Sequence, residues 1–428
     1  MAKPLKLAVA GLGTVGTAFV RHIAEVDVGG APAPEVIAVC ARDKSRDRGI
    51  NVDGLSWFDD PVAMAETAGA DVFVELIGGD EGPALLAVEA ALKTGSHVVT
   101  ANKALLAAHG VKLARLAEEN GASLNFEAAV AGCIPIIKTL RESLQGNNVD
   151  RVVGIMNGTC NYILTRMERE NLSFEDCLAD AQRLGYAEAD PEFDIDGHDT
   201  AHKLAILSSL AFGTEIAADA TYVEGIRSIT SEDIRVADEM GYRIKLLGVA
   251  QRTDSGIEQR VHPTMVPKSA PIAGIDGVTN AVEVEASLVG TMMLVGAGAG
   301  GDATASAVMA DVLDLARGQS IAPLGLPTSA LKPHQRARMR AHEGGYCLRL
   351  LVHDRQGAFA AIASRMAEQD ISLESIVQRQ AQTPDADSGM ASAVLITHET
   401  TEQQIRQALE NIATDGHIAG PAQMIRIN

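Results

Sequence analysis

Aromatic side chains are scarce: Phe, Tyr and Trp together make up 3% of 428 residues, with a single Trp. Small residues replace them, since Gly and Ala are abundant, a composition typical of α/β enzymes. Cysteines number five, an odd count, and no two form a CxxC pair, which removes zinc-ribbon and dithiol-exchange readings. They read as reduced thiols, mostly small buried residues. No Lys/Arg-rich run interrupts a formal net charge of -20, so the chain would repel a phosphate backbone. Neither nucleic acid nor an anionic membrane is an expected partner. No apolar stretch approaches the roughly 20 uninterrupted residues of a membrane span. The start, MAKPLKLAVAGLG, enters a strand pattern without the apolar region of a signal peptide, so a cytoplasmic protein is expected.

What is present divides along the chain. At roughly 150 residues per domain the length suggests two or three domains. Apolar runs LKLAVA, EVIAVC, DVFVELIG, HVVTANK and SLNFEAAVAG alternate with helix patterns, which predicts a Rossmann-type, doubly wound parallel sheet over 1–135. Over 136–295 helix patterns mix with alternating strands, which predicts an α+β domain facing the first. The segment LVGAGAGGDATASAVMADVLDLARG reads as strand, glycine turn and helix, a return to the first domain at about 296–320. A Pro-rich linker at 321–345 precedes 346–428, whose strand, helix, strand, strand, helix, strand order predicts a separate ferredoxin-like βαββαβ module.

Gly11, Gly13 and Gly16 form a GxGxxG between a strand and a helix, the context in which this spacing holds a dinucleotide. The first glycine permits the tight turn, the second lets backbone approach a pyrophosphate, and the third lets the helix pack on the strand. After the second strand come Arg42 and Lys44, cations suited to a 2′-phosphate, so NADP is favoured; Asp43 between them keeps NAD open. Gly296, Gly298 and Gly301 repeat the spacing. The second copy either closes over the cofactor or only packs tightly.

The stretch GYAEADPEFDIDGHDTAHKLAIL gathers Glu188, Asp190, Glu192, Asp194, Asp196 and Asp199 ahead of Lys203. Glu192, Asp194, Asp196 and Gly197 match the opening of a calcium-binding loop, but its twelfth position is Lys203, which opposes calcium. A helix beginning near His198 puts Asp199 and Lys203 one turn apart on one face. This is either a surface ion pair or the start of a cleft where carboxylates bind an amino group and a lysine moves a hydroxyl proton. Asp190, Glu192 and Asp196 read as turn-forming or solvated.

From Ala181 to Lys203 the text AQRLGYAEADPEFDIDGHDTAHK resembles the signature of homoserine dehydrogenase. The resemblance continues in GLGTVG, VVTANKALLA, FEAAVAGCIPII and GIMNGTCNYIL, and covers essentially the whole chain. The C-terminal module resembles the ACT domain that many of these enzymes append. By this resemblance Lys203 exchanges a proton at the substrate oxygen and Lys103 lies near substrate and nicotinamide; which lysine shuttles the proton stays open. Glu188 and Asp199 hold the substrate, with Asp194 and Gly185 in the same site. Coenzyme contacts fall on Gly11, Leu12, Gly13, Thr14, Val15, Gly16, Arg42, Lys44, Thr100, Lys103, Gly185 and Gly301. A monovalent cation, Na+, falls on the Glu127 carboxylate and the carbonyls of Val130, Gly132 and Ile134.

The implied reaction interconverts L-homoserine and L-aspartate 4-semialdehyde with NAD(P), within threonine, methionine and isoleucine biosynthesis. A homodimer or homotetramer is expected. The turn HDRQGAF, with Asp354 and Gly357, implies feedback by L-threonine, although Gln356 stands where the family often has proline, leaving a module that only dimerises as the alternative. No aspartokinase segment precedes Gly11, which implies a monofunctional chain. Two other readings remain in view: an amino-acid sensor that lost catalysis, against which the lysines and carboxylates argue, and an aspartate-type dehydrogenase that consumes ammonia.

Overall fold

Six short apolar segments align as one parallel sheet in the computed structural model, which describes residues 3–26, 32–337, 343–380 and 390–428. They are β1 (Lys6–Ala10), β2 (Glu35–Cys40), β3 (Ser56–Phe58), β4 (Val72–Glu75), β5 (His97–Thr100) and β6 (Leu124–Asn125). Because helices cover both faces, β4 is buried at every position and reads as an apolar run closed by Glu75 rather than an alternation. The order is β3-β2-β1-β4-β5-β6, all parallel. The strand order therefore reverses between β1 and β4, and a crevice opens at their carboxyl ends.

Of the helices α1 (Thr14–Ile23), α2 (Pro61–Thr67), α3 (Pro83–Lys93) and α4 (Lys103–Glu119), α2 and α4 start at side-chain caps. Asp60 accepts the Val62 amide ahead of a proline at the first turn of α2, and Asn102 accepts the Leu105 amide ahead of α4.

A second, mixed sheet contains the antiparallel strands Gly290–Ala297, Thr279–Ala286, Val149–Ile155, Tyr242–Thr253 and Gly256–Pro267, in that spatial order. The helices Gly158–Glu170 and His198–Phe212 pack on it. One apolar cluster runs without a break from α4 through Phe126, Val130 and Ile134 to Leu204 and Leu207, so the two sheets share a core.

Three features differ from the sequence expectation. The return segment is split: its strand, Gly290–Ala297, edges the second sheet, and only its helix, Gly301–Ala316, joins the first domain by packing on α1. The linker is pinned where it is described, because the amides of Ile257 and Ala337 bond Gln335 and Ile257 carbonyls across the chain; residues 338–342 lie outside the described residues. The C-terminal βαββαβ module is not a separate layer. Its last strand, Gln423–Ile427, pairs in parallel with Gly256–Pro267 through Thr264 with Arg426 and Met265 with Ile427, so its sheet continues the second one. That strand carries only the alternation of any short strand, and nothing local says which edge it will join.

Candidate active site

The turn after β1 is built by steric exclusion. Gly11 sits at φ +100°, and a Cβ there would lie 2.3 Å from the Leu76 carbonyl oxygen; a Cβ on Gly16 would lie 1.9 Å from that of Gly11. A Cβ on Gly13 would meet nothing within 4 Å, so this glycine leaves open space in front of the first amides of α1. A cavity of about 530 Å3 opens there, lined among others by Gly13, Thr14, Arg21, Arg46, Arg48 and Gly301. The helix starting at Gly301 thus aims its N-terminus at the same space as α1, and two sets of unpaired amides suit an anion. These residues fit a dinucleotide pyrophosphate.

A second cavity, of about 630 Å3, lies between the two sheets. Lys103, Gly185, Glu188, Asp194, Asp199 and Lys203 all line it, as do Val15 and Gly132. The His198–Phe212 helix that carries Asp199 and Lys203 is buried nearly all round, which excludes the surface ion pair: Asp199 is 3% exposed and Lys203 9%. Buried charges must be paired, and these are. Lys203 Nζ donates to Asp199 Oδ2 and to the Met156 carbonyl, each at 2.7 Å, while Lys103 Nζ stands 3.0 Å from Asp199 Oδ1.

Burial alone would push the Asp199 carboxyl up; the Lys203 and then the Lys103 ammonium outweigh it and hold it well below the usual carboxylate range. Burial would likewise lower Lys103, but Asp199, Asp194 and Glu188 reverse this and raise it, so the ammonium form is favoured. Asp194 is raised by burial and by the neighbouring Asp199 charge. The remaining acids of the stretch turn elsewhere: Asp190 accepts the Glu192 amide, and Asp196 and Glu192 accept Arg227.

Other expected residues fall differently. Arg42 and Lys44 do not line the cavity beside the glycine turn; Lys44 lies 5.9 Å from the Trp57 ring, and Arg46 and Arg48 take the lining positions. Arg48 reaches back to the Leu12 carbonyl, at 3.2 Å from Nε, which ties its loop to the turn. The Thr100 hydroxyl is buried, donating to Glu75 at 2.5 Å and accepting the Asn102 amide, so its side chain faces inward rather than towards a coenzyme. The Glu127 carboxylate accepts the amides of Ile137 and Lys138, and burial with Asp311 nearby pushes it up to about 7. Each oxygen of Glu127 accepts one N–H and keeps a further lone pair, and Val130, Gly132 and Ile134 lie in the buried turn beside it.

Comparison with known proteins follows the same division. The family model "Homoserine dehydrogenase, NAD binding domain" matches residues 11–127, and the model "Homoserine dehydrogenase" matches residues 135–313. The chain belongs to the homoserine dehydrogenase family. The homoserine dehydrogenase of Pseudomonas aeruginosa is 42% identical over 99% of both chains. The crystal structure of a homoserine dehydrogenase from Thiobacillus denitrificans superposes with a TM-score of 0.92 at 40% identity, covering 100% of this chain and 98% of that one. A hyperthermophilic archaeal homoserine dehydrogenase in complex with NADPH matches with a TM-score of 0.65 at 27% identity, over 74% of this chain and 99% of that one. As a homoserine dehydrogenase the chain is an oxidoreductase acting on a CH–OH group, with a pyridine-nucleotide-binding domain.

Two structural supports of these cavities escape sequence reasoning. Asn157 Nδ2 donates to Asp194 Oδ1 and Asp199 Oδ2, each at 2.8 Å, while its Oδ1 caps the Gly158–Glu170 helix at the Cys160 amide. The Asn-Gly pair before an apolar helix pattern signals the cap but not the carboxylates. Glu75, fully buried at the end of β4, accepts the amides of Ile77 and Gly78 and shapes the loop facing the glycine turn. A carboxylate closing an apolar strand is the available signal.

Proposed function

We propose that the cavity between the sheets binds L-homoserine and L-aspartate 4-semialdehyde and that the chain interconverts them with NADP. The observation that carries this reading is the ion-paired chain Lys103, Asp199, Lys203, with Asp199 and Lys203 buried, inside a cavity adjoining the glycine turn. Glu188, Asp194 and Asp199 offer carboxylates to the substrate ammonium. Lys103 and Lys203 offer their ammonium groups to the substrate oxygen, and Asp199 between them fixes both. A bound nicotinamide supplies or accepts the hydride. Because Lys103 is held in its charged form, it is poised as the acid that protonates the aldehyde oxygen in the reductive direction.

NADP is favoured over NAD by Arg46 and Arg48 at the cavity edge and by Asp43, whose carboxylate is folded onto the Ser45 amide and hydroxyl. A monovalent cation is part of the same reading, held by the Glu127 carboxylate and the carbonyls of Val130, Gly132 and Ile134. The successive left-handed residues Ala131 and Gly132, at φ +56° and +58°, bend that turn. L-Threonine control is assigned to the turn before the helix Ala358–Ala367, where Gly357 is left-handed at φ +89°. Assembly through sheet edges is supported by Val295 and Ile376, exposed on the strands Gly290–Ala297 and Leu373–Gln380.

The test is coenzyme oxidation on addition of L-aspartate 4-semialdehyde. Turnover with NADPH exceeding that with NADH is expected; no turnover with either overturns the reading.

A further inference from the structure

The turn that presents Asp194 and leads into Asp199 has its own backbone bonds, such as the Asp196 amide to the Glu192 carbonyl, and is also braced from outside. It lies on the segment Tyr222–Asp233, and the contact is backbone on backbone. A Cβ on Gly225 would stand 2.3 Å from the Ile195 carbonyl oxygen and 2.5 Å from the Asp196 Cα. The Ile226 amide donates to the Ile195 carbonyl at 2.9 Å. Arg227 then locks the turn from outside, with Nε 2.6 Å from Asp196 Oδ1 and Nη2 3.3 Å from Glu192 Oε1. Gly197, the left-handed residue that opens the Asp199 helix, packs on Val223 and Val261 beneath.

The opposite side of the same segment is gripped by the C-terminal module. Arg426 Nη1 donates to Glu224 at 3.0 Å. Gln423 Nε2 donates to the Ser228 hydroxyl at 3.4 Å, and Ser392 donates to Glu232 at 2.9 Å. Arg349 forks onto Asp233, with Nε 2.6 Å from Oδ1 and Nη2 3.1 Å from Oδ2. One short segment is thus clamped between the C-terminal sheet and the acidic turn, with polar contacts on both sides.

We propose that Tyr222–Asp233 is a strut through which the C-terminal module sets the position of Asp194 and Asp199, and that Arg227 and Arg349 are positioning residues at its two ends. Neither arginine lines the substrate cavity. The strut transmits position because its contacts are contiguous and leave little slack: backbone to backbone at the turn, and a two-pronged guanidinium at the module. It acts on substrate binding, since the residues it holds are the carboxylates assigned to the substrate ammonium. It leaves the glycine turn and coenzyme pocket untouched. The inference rests on the reading of the cavity as the homoserine site.

The test compares the full-length enzyme with Arg227→Gln, Arg227→Lys and Arg349→Gln, and with Ser392→Ala as a milder change at the module end. Arg227 is 47% exposed, so its removal leaves the core intact. KM for homoserine rises by roughly 3- to 30-fold in Arg227→Gln and in Arg349→Gln, while KM for the coenzyme holds in both and the melting temperature holds in Arg227→Gln. Arg227→Lys recovers part of the loss, and the double variant falls short of the product of the single effects. If Arg349→Gln does not fold, Ser392→Ala must show the selective KM rise at the module end. Unchanged homoserine KM in Arg227→Gln, or in both module-end variants, overturns the strut. So does a joint fall in both affinities and in melting temperature in Arg227→Gln, which marks a purely structural role. A wild-type enzyme that does not turn over homoserine overturns instead the site reading beneath it.

Discussion

Asp199 accepts from three side chains, Lys103, Asn157 and Lys203, while almost wholly buried. Removing a buried charge from such a set leaves its partners unpaired, at a cost of about 3–5 kcal/mol. Asp199→Asn is therefore expected to lower the denaturant-derived stability at neutral pH by about that amount. The sign with pH follows from the depressed folded-state carboxyl. Its contribution is full above the ordinary value of 3.8 and is lost as pH falls through the folded-state value, so wild type and variant converge in acid. A gap that widens on acidification would contradict the assignment. At this scale the sequence was legible where residues share a helix turn, as Asp199 and Lys203 do. It was silent on Lys103 and Asn157 as neighbours of Asp199, because each arrives from a different element and brings no spacing of its own.

At the scale of elements, the glycine turn separates two roles that one motif conceals. A methyl group on Gly16 collides with backbone at 1.9 Å, whereas one on Gly13 enters open space. Gly16→Ala should lower the melting temperature and abolish coenzyme binding together. Gly13→Ala should keep the melting temperature and lose only coenzyme affinity; equal thermal loss in both would refute the distinction. The strand, turn and helix around these glycines could be read directly, since the parallel sheet demands apolar runs and the turn demands glycine. The second glycine copy could not be resolved the same way. Its strand edges the other sheet, and only its helix reaches the cofactor crevice. Periodicity reports what kind of element a segment forms and not where it docks. The cations after β2 show the same limit: four lie within Arg42–Arg48, and only the loop's path puts Arg46 and Arg48 at the cavity.

At the scale of the whole molecule, the C-terminal module is built into the sheet that supports the active site. Arg426, 1% exposed, joins Glu402 of its own module, at 2.9 Å, to Glu224 of the segment Tyr222–Asp233, at 3.0 Å. Arg426→Met strands both carboxylates, although Glu402 keeps Arg406 at 2.7 Å. The expected loss is about 3–5 kcal/mol, nearer the lower end, and a single cooperative unfolding transition should persist. Two separated transitions in the wild-type chain would show that the module melts by itself and would contradict a shared sheet. The sequence announced the module as a unit but not this junction, since strand pairing over so long a separation leaves no local mark. The central claim is that a lysine on the buried Asp199 moves the proton at the substrate oxygen. It is tested most directly by NADPH oxidation with L-aspartate 4-semialdehyde in wild type, Lys203→Ala and Lys103→Ala. A fall in kcat of roughly 10²–10⁴-fold in at least one lysine variant, with coenzyme affinity retained, is the result expected. Full activity in both variants would contradict it.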